Sequence, residues 1–375
     1  MTSPAAVSPV AGARHLYVHL PFCAARCGYC AFVVEVGSLG RRDAYLDALL
    51  GELRRERGRL GSLESVFLGG GTPTLMRPAR LAVLMEAVRP HLAPGAEVTV
   101  EANPETVDAE AFAALAAMGV TRVSLGVQSF QPHVLDALDR AAGPDQCRAA
   151  LRCARREGIR SVAMDLLFGV PGQGRADLEQ DLAEVLEAGP DHLSWYELEM
   201  KPGSALARRG TAPVDEDEAA DAYRWTVGAL EDAGYRWYET ANFARPGHEC
   251  RHSPAYWGAA DYLGVGVGAV STVGGRRWRN APGLEPYIAA LAAGGDPRRT
   301  GEALDDDDRR RERWMLGLRR QEGVDRAWAG PPDHPEALVP LERAGLVRHD
   351  EESVVLTREG RFVQNAILHR LMEFA

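Results

Sequence analysis

Cys23, Cys27 and Cys30 form a C-x3-C-x2-C triplet at the end of the apolar run 16–22. Thiolates are soft, charge-donating ligands that suit iron–sulfur clusters and zinc. Three of them on one short loop can hold three irons of a cubane [4Fe-4S] cluster, which leaves the fourth iron open. An open iron can bind a small molecule and pass it one electron. Structural zinc instead takes a closed set of four ligands, usually as two pairs. The other cysteines, Cys147, Cys153 and Cys250, are distant in sequence, and His19 precedes the loop. Ligand arithmetic therefore favours the cluster over a zinc knuckle or three unrelated core cysteines.

Five further positions accompany the triplet. Gly69-Gly70-Gly71-Thr72 follows an apolar run, and glycines let a backbone approach a ligand closely. Read alone, the same residues make a tight strand-to-helix turn. Glu101, Gln128 and Asp165 each fall at or just past the end of an apolar run, as do Cys23 and Gly70. Carboxylates there can accept hydrogen bonds from hydroxyls or an ammonium group, and Arg140 can hold a carboxylate in a fork. Singly, each could be a surface charge or a cap; together they mark one rim. No Ser-His-Asp or Cys-His set stands out. His192, His248 and His252 read as structural or substrate-contacting. Cys147 and Cys153 read as packing residues, and a metal role for Cys250 is the less favoured option.

The elements that must position this rim are strands alternating with helices. Strand-like runs cover 16–22, 65–69, 97–101, 122–127, 161–168 and 192–200; helical patterns cover 43–57, 79–91, 108–118, 145–157 and 176–187. Six repeats imply a parallel α/β sheet. Such strands are covered on both faces, so 98–100 and 162–164 are expected not to alternate cleanly. Residues 1–13 read as a disordered tail rather than a signal peptide. A strand–helix domain spans 14–243, and a Gly- and Pro-rich connecting segment lining the site spans 244–300. Residues 301–375 open on an acidic run and read as helices around a short strand pair near 349–356.

Composition narrows the function. The 375 residues are 46% hydrophobic and carry a formal charge of −10, which argues against a nucleic-acid partner. The stretch 256–275 contains Asp261 and many glycines, so no membrane span is expected. Six cysteines without a disulfide framework fit a reducing, cytoplasmic setting.

The motifs also carry a resemblance. Tyr17-Val18-His19-Leu20-Pro21-Phe22-Cys23 through Cys30 resembles the cluster loop of radical S-adenosylmethionine (SAM) enzymes. Within that superfamily it is similar to the oxygen-independent coproporphyrinogen III oxidase-like group, which includes heme chaperones. The likeness continues through Gly69–Thr74, Glu101-Ala102-Asn103-Pro104, Ser124–Phe130, Asp165–Gly172, Tyr238-Glu239, Asn242–Gly247 and Cys250-Arg251-His252. It implies an α/β fold, a partial (β/α)6 barrel with a small winged-helix-like C-terminal domain and ligands at the strand ends. It implies a [4Fe-4S] cluster on Cys23, Cys27 and Cys30, and one or two SAM molecules. SAM contacts would come from Tyr17, Tyr29, Gly70, Gly71, Thr72, Glu101, Gln128, Arg140 and Asp165. An electron donor such as flavodoxin or ferredoxin would reduce the cluster.

The resemblance breaks at four places. Ala31 stands where the heme chaperones usually carry Asp, and Ala142 and Val270 where they usually carry His. Their heme-linked His-Asn-x-x-Tyr-Trp block reads His252-Ser253-Pro254-Ala255-Tyr256-Trp257. The SAM positions survive while polar heme-linked positions are lost. That pattern raises the expectation of a changed substrate, a small molecule or modified peptide. The activity expected is that of a class C radical SAM methyltransferase or cyclopropanase, with a heme chaperone or coproporphyrinogen oxidase-like protein as the alternative.

Overall fold

Six parallel strands follow one another through the first 200 residues: β1 (Ala13–Leu20), β2 (Leu60–Gly70), β3 (Leu92–Ala102), β4 (Arg122–Gln128), β5 (Ser161–Phe168) and β6 (His192–Glu197). The computed structural model describes residues 12–212 and 214–373, so residues 1–11 of the expected tail lie outside the described residues. Neighbouring strands pair in chain order, and helices cover the outer face. These are α1 (Arg42–Glu56), α2 (Pro78–Val88), α3 (Ala109–Ala117), α4 (Pro132–Ala137), α5 (Pro144–Arg156) and α6 (Arg175–Ala188). Local chemistry sets several starts. Pro78 and Pro144 open their helices, where the missing N–H costs nothing. Asp108 caps α3 by accepting the Ala111 N–H at 2.8 Å.

Residues 98–100 and 162–164 are buried throughout, as expected, while most positions alternate between an apolar and a polar face. Val18, Leu68, Val100, Val123 and Leu166 pack into the helix-covered core. On the opposite face lie Tyr17, Phe67, Thr99, Ser124, Asp165 and Ser194. Tyr17 stacks on Phe67, and Ser124 donates to Asp165 across the strand pair. The inner face of a curled sheet holds a polar lumen rather than a second layer of helices, so its side chains need not be apolar.

A larger difference concerns residues 244–300. After α7 (Ala205–Arg208) and α8 (Glu216–Asp232), β7 (Arg236–Trp237) and β8 (Asn242–Ala244) add antiparallel to β6. The chain then passes α9 (His252–Trp257) and reaches the other edge of the sheet. There β9 (Tyr262–Val265) pairs parallel with β1, and β10 (Val270–Val273), β11 (Arg276–Asn280) and β12 (Arg298–Ala303) extend the sheet antiparallel. The glycines that read as a linker are strand and turn residues. A Cβ on Gly264 would sit 2.0 Å from the Val270 carbonyl oxygen, so only glycine allows this hairpin to close.

The C-terminal unit has its own core around Trp314, Leu338, Leu341, Val354, Ile367 and Leu371. Its three strands, β13 (Val324–Asp325), β14 (Val347–His349) and β15 (Ser353–Leu356), form a small sheet with β15 central. Helices flank it, giving the winged-helix-like form. It docks on the barrel through Arg361, whose guanidinium lies 3.5 Å over the Trp237 ring and donates to the carbonyls of Trp237 and Glu239.

Candidate cofactor site at the rim of the barrel

The cysteine loop is pinned by backbone on both sides. Gly28 N–H donates to Leu138 O at the end of α4, and Leu206 N–H on α7 donates back to Gly28 O, both at 2.9 Å. Phe22–Cys23 pairs with Glu35–Val36 and closes the base of the loop. Thr72 Oγ1 donates to Cys23 Sγ at 3.8 Å, and Arg140 Nη1 to Cys27 Sγ at 3.5 Å. Burial raises the pKa of the free Cys23 and Cys30 thiols, and a bound metal would displace those protons. Among the described residues no group of three or more His, Cys, Asp or Glu side chains could hold a single metal ion. A cubane asks for no such convergence, because each thiolate takes a separate iron.

The glycine turn after β2 is welded to the end of β1. Gly71 N–H donates to Leu20 O at 2.9 Å, and Thr72 N–H to Phe22 O at 2.8 Å. Gly70 sits at φ +109°, and a Cβ there would lie 2.4 Å from the His19 ring. His19 was a conceivable zinc ligand from sequence, but both its ring nitrogens are engaged. One bonds to Val33 O at 2.7 Å, the other to Tyr17 Oη at 2.9 Å. Burial lowers its pKa, so the neutral ring donates to Val33 and accepts from Tyr17. His19 therefore ties the far side of the cysteine loop to the strand carrying Tyr17.

Glu101 accepts the Gly70 N–H at 3.0 Å and has no cationic partner among the described residues. Burial, opposed by that hydrogen bond, pushes its carboxyl up to about 7. Asp165 is likewise pushed up to about 6 by burial, with Ser194 and Ser124 donating to it. It lies mid-strand rather than at the strand end expected, yet it faces the same lumen. Gln128 ends β4 with φ at 71°, a rare conformation for a non-glycine residue, where β4 slips register against β5. Arg140 Nη2 donates to Asn103 Oδ1 at 3.1 Å and to Gly126 O at 2.5 Å, and Asn103 donates to Thr72 at 3.1 Å. Arg140 Nε is buried without a hydrogen-bond partner among the described residues. Tyr29 packs against the small apolar cluster of Val134, Leu138, Leu167 and Leu206, turning inward between two cysteines.

Sequence reasoning thus named nine positions that the fold gathers around one rim, and it missed several that complete the lumen. Asn103 and Ser124 lay inside quoted motif blocks. Glu239 after β7 also lay inside a quoted block, whereas Ser194 and Tyr196 on β6 carried no local signal. Tyr196 keeps 43% of its surface accessible, yet burial raises its pKa, with Asp165, Glu239 and Glu101 adding to the rise. A side chain walled in by protein but still accessible lines an internal cavity. Glu239 is pushed up to about 7 by burial, opposed chiefly by Asn242 donating to it.

The opposite end of the barrel is closed by a paired network. Glu97 meets Arg122 at 3.1 Å and accepts the Arg251 N–H at 3.0 Å and the Cys250 S–H at 3.3 Å. Arg122 also donates to His248 O, and His192 bonds to Tyr238 Oη. Cys250 is thus a buried donor in the floor rather than a metal ligand.

Comparison with known proteins follows this geometry closely. Residues 17–185 match the radical SAM superfamily, and residues 304–363 match the HemN C-terminal domain. The chain is 39% identical over 369 residues to the heme chaperone HemW of Mycobacterium tuberculosis, covering 95% of this chain and 94% of that one. It is 31% identical to HemW of Bacillus subtilis over 370 residues, 94% and 98% of the two chains. The chain belongs to the HemN/HemW-like radical SAM family. The solved structure of coproporphyrinogen III oxidase (HemN) from Escherichia coli superposes with a TM-score of 0.85 at 27% identity, over 97% of this chain and 91% of that one. The cofactors of the superfamily are a [4Fe-4S] cluster and SAM. The residues present fit them: three thiols in one pinned loop, a rim of uncompensated carboxylates for a cationic ligand, and glycines where a Cβ would collide.

These matches overturn the expected methyl- or methylene-transferring activity. Near full-length similarity runs to HemW and HemN. The departures that suggested a new substrate mostly lie off the lumen. Ala142 is 1% exposed in the hydrophobic core, and Ala31 is exposed on the loop surface. Val270 sits on β10, paired with Arg279 beyond the parallel sheet. None of these three changes replaces a polar contact in the cofactor lumen.

Proposed function

We propose that this chain is a HemW-like heme chaperone that keeps a radical SAM cofactor site. The observation that carries the reading is similarity to HemW along 95% of the chain, barrel and C-terminal domain alike. His252 survives from the heme-linked block. Its Nδ1 shares a hydrogen bond with Ser65 Oγ at 2.8 Å, and its Nε2 has no hydrogen-bond partner among the described residues. Burial lowers its pKa to about 3, so the ring stays neutral, the form that binds iron.

At the rim, Cys23, Cys27 and Cys30 would hold the cluster, which supplies one-electron chemistry to bound SAM. Glu101 and Asp165 would receive the ammonium or ribose hydroxyls of SAM. Such a cation relieves the cost of burying their charges. Arg140 would hold the SAM carboxylate through its unpartnered Nε side while keeping Cys27 in place. Gly70, Gly71 and Thr72 shape the turn against the methionyl end, Tyr17 and Gln128 wall the pocket, and Tyr29 shields the cluster from water. Reduction requires an electron donor such as flavodoxin or ferredoxin, in a cytoplasmic setting. No helix among the described residues is long and apolar enough to cross a membrane.

The test is hemin titration of the reconstituted protein, followed by transfer to an apo-haemoprotein, read by the Soret band. Stoichiometric binding and transfer support the chaperone. Oxidative decarboxylation of coproporphyrinogen without hemin binding would replace it with an oxidase.

A further inference from the structure

β4 ends in a bulge. Its pairing with β5 runs from Arg122 opposite Ser161 to Gly126 opposite Asp165 and then slips, so that Gln128 stands opposite Leu166. Val127 is the extra residue, and a bulge bends its strand and re-aims a side chain. Gln128 then takes φ 71°, a region that residues other than glycine rarely adopt.

The consequence is visible around Gly126. A Cβ there would lie 3.0 Å from Gln128 Nε2, 3.0 Å from Asn103 Oδ1 and 3.6 Å from Arg140 Nη2. The Gln128 amide thus folds back over its own strand. It joins the group in which Arg140 bonds to Asn103 and Gly126 O, and Asn103 bonds to Thr72.

Such a turn is costly by itself and persists only where its surroundings hold it. The residues that follow Gln128 are held by one side chain. Asp181, fully buried on α6, accepts the Ser129 Oγ–H at 2.7 Å, the Phe130 N–H at 2.7 Å and the Gln131 side-chain amide at 3.1 Å. Ser129 Oγ in turn accepts the Gln131 N–H at 3.0 Å. Three consecutive residues are therefore tied to one carboxylate. None of these bonds comes from the backbone of α4, and no cation pairs with Asp181 among the described residues. Burial raises its pKa, opposed by its three donors. A buried carboxylate without a cation is costly, and its neighbours on the same face of α6, Leu178, Leu182 and Val185, are apolar. Packing alone would put another apolar residue at this position.

We propose that Asp181 is a positioning residue for the SAM site. It clamps residues 129–131 and so holds Gln128 in its bulged, left-handed turn, with the amide beside Arg140. The inference rests on the assignment of the rim to SAM. It adds a residue outside the motif blocks that keeps one wall of that pocket in place.

The experiment titrates SAM into the full chain with its cluster reconstituted, reads the heat by calorimetry, and runs a double-mutant cycle of Asp181→Ala with Gln128→Gly. Asp181→Ala is expected to weaken SAM binding about tenfold, as the loss of an orienting partner does elsewhere. Asp181→Asn keeps an acceptor for Phe130 and Gln131 and should stay within about threefold of the parent. Gln128→Gly should itself weaken binding about tenfold. It has no amide to aim and no left-handed cost, so in that background Asp181→Ala should change affinity less than about twofold. All variants should keep the cluster absorbance of the parent. An equal loss from Asp181→Ala in both backgrounds would show that it only supports the fold, and the inference would fall. Unchanged affinity in Asp181→Ala or in Gln128→Gly would also sink it. Loss of the cluster in Asp181→Ala would route the clamp through α4 and the Gly28 pin at Leu138, and would overturn the role of Gln128. If the parent binds no SAM, the assignment of the rim itself falls. Should Asp181→Ala fail to fold, Ser129→Ala removes the bonds through Ser129 Oγ, and the same cycle decides.

Discussion

Glu97 and Glu101 sit four residues apart on one face of β3, and they live in opposite surroundings. Glu97, at the floor, is met by a guanidinium, a backbone N–H and a thiol. Glu101, at the rim, has one backbone N–H, and burial pushes its carboxyl to about 7. The same contrast holds for the two ends as a whole. The floor sets Glu97 against Arg122, leaving only single nitrogens of Arg122 and His192 unpartnered in the network described, and fixes where strands begin. The rim leaves thiols, carboxylates and a guanidinium nitrogen without full partners, and holds its backbone at φ +109° at Gly70 and 71° at Gln128. Uncompensated groups and strained backbone persist where a ligand completes them. The contrast therefore separates residues kept for folding from residues kept for cofactor chemistry, though both are polar and half-hidden.

Five tests would break or sharpen that contrast. The largest effect belongs to the rim: Cys23→Ala, Cys27→Ala or Cys30→Ala should abolish the cluster's visible absorption and reduced EPR signal after anaerobic reconstitution. Retention of a full cluster by any of them would remove that cysteine from the ligand set. At the floor, Arg122→Met leaves Glu97 buried without its cation and should cost about 3–5 kcal/mol in chemical unfolding. A loss under about 1 kcal/mol would show that the floor pair is not what holds the strand starts.

Gly70→Ala tests strain at the rim. The new Cβ meets the His19 ring in a backbone region that side chains avoid, so a loss of about 1–3 kcal/mol is expected together with weaker SAM binding. Unchanged SAM affinity would make the turn purely structural. Glu101→Gln concerns pH. The folded carboxyl holds its proton up to about 7, whereas in the unfolded chain it ionises near 4.5. Cofactor-free protein should therefore lose stability as pH rises through that window, and Glu101→Gln should reduce the slope. Asp165 and Glu239 retain part of it. Thermal melts at pH 5 and pH 8 read the effect, and an unaltered slope would mean that Glu101 is solvated. The smallest effect is at neither end: Arg224→Ala removes an exposed pair with Glu359 and a contact over the Phe362 ring, and should change stability by about 1 kcal/mol or less. A larger loss would mean that the C-terminal unit docks more tightly through this surface than its exposure implies.

Much of the barrel was legible because each repeat is local. A strand run, a turn glycine and a helix with its cap are all read within about 30 residues, the span of one strand–helix unit. The patterns 108–118 and 145–157 accordingly fall on α3 and α5, which Asp108 caps and Pro144 opens. Residues 244–300 were not legible. Their glycines serve close backbone approaches, as Gly264 does against Val270, and composition alone cannot separate that use from a linker. The largely polar inner face was missed because covering by helices on both sides was assumed, whereas curling leaves one side open to a ligand. The substrate expectation failed for a related reason. Losing His at positions 142 and 270 looked chemical, but Ala142 is core and Val270 lies on the added hairpin.

By itself the sequence determined the chemistry of the rim: three thiols on one loop, the glycine turn, and carboxylates at strand positions that a parallel sheet must bring to one end. Those follow from spacing and strand period, which are properties of the chain. Only the tertiary structure decided which polar groups are paired and which are left to a ligand. It also decided that His15 and His252 share one serine from positions 237 residues apart, and that a cavity lies beneath the floor. Pairing and cavities depend on what distant segments place opposite a residue, and no local pattern carries that information.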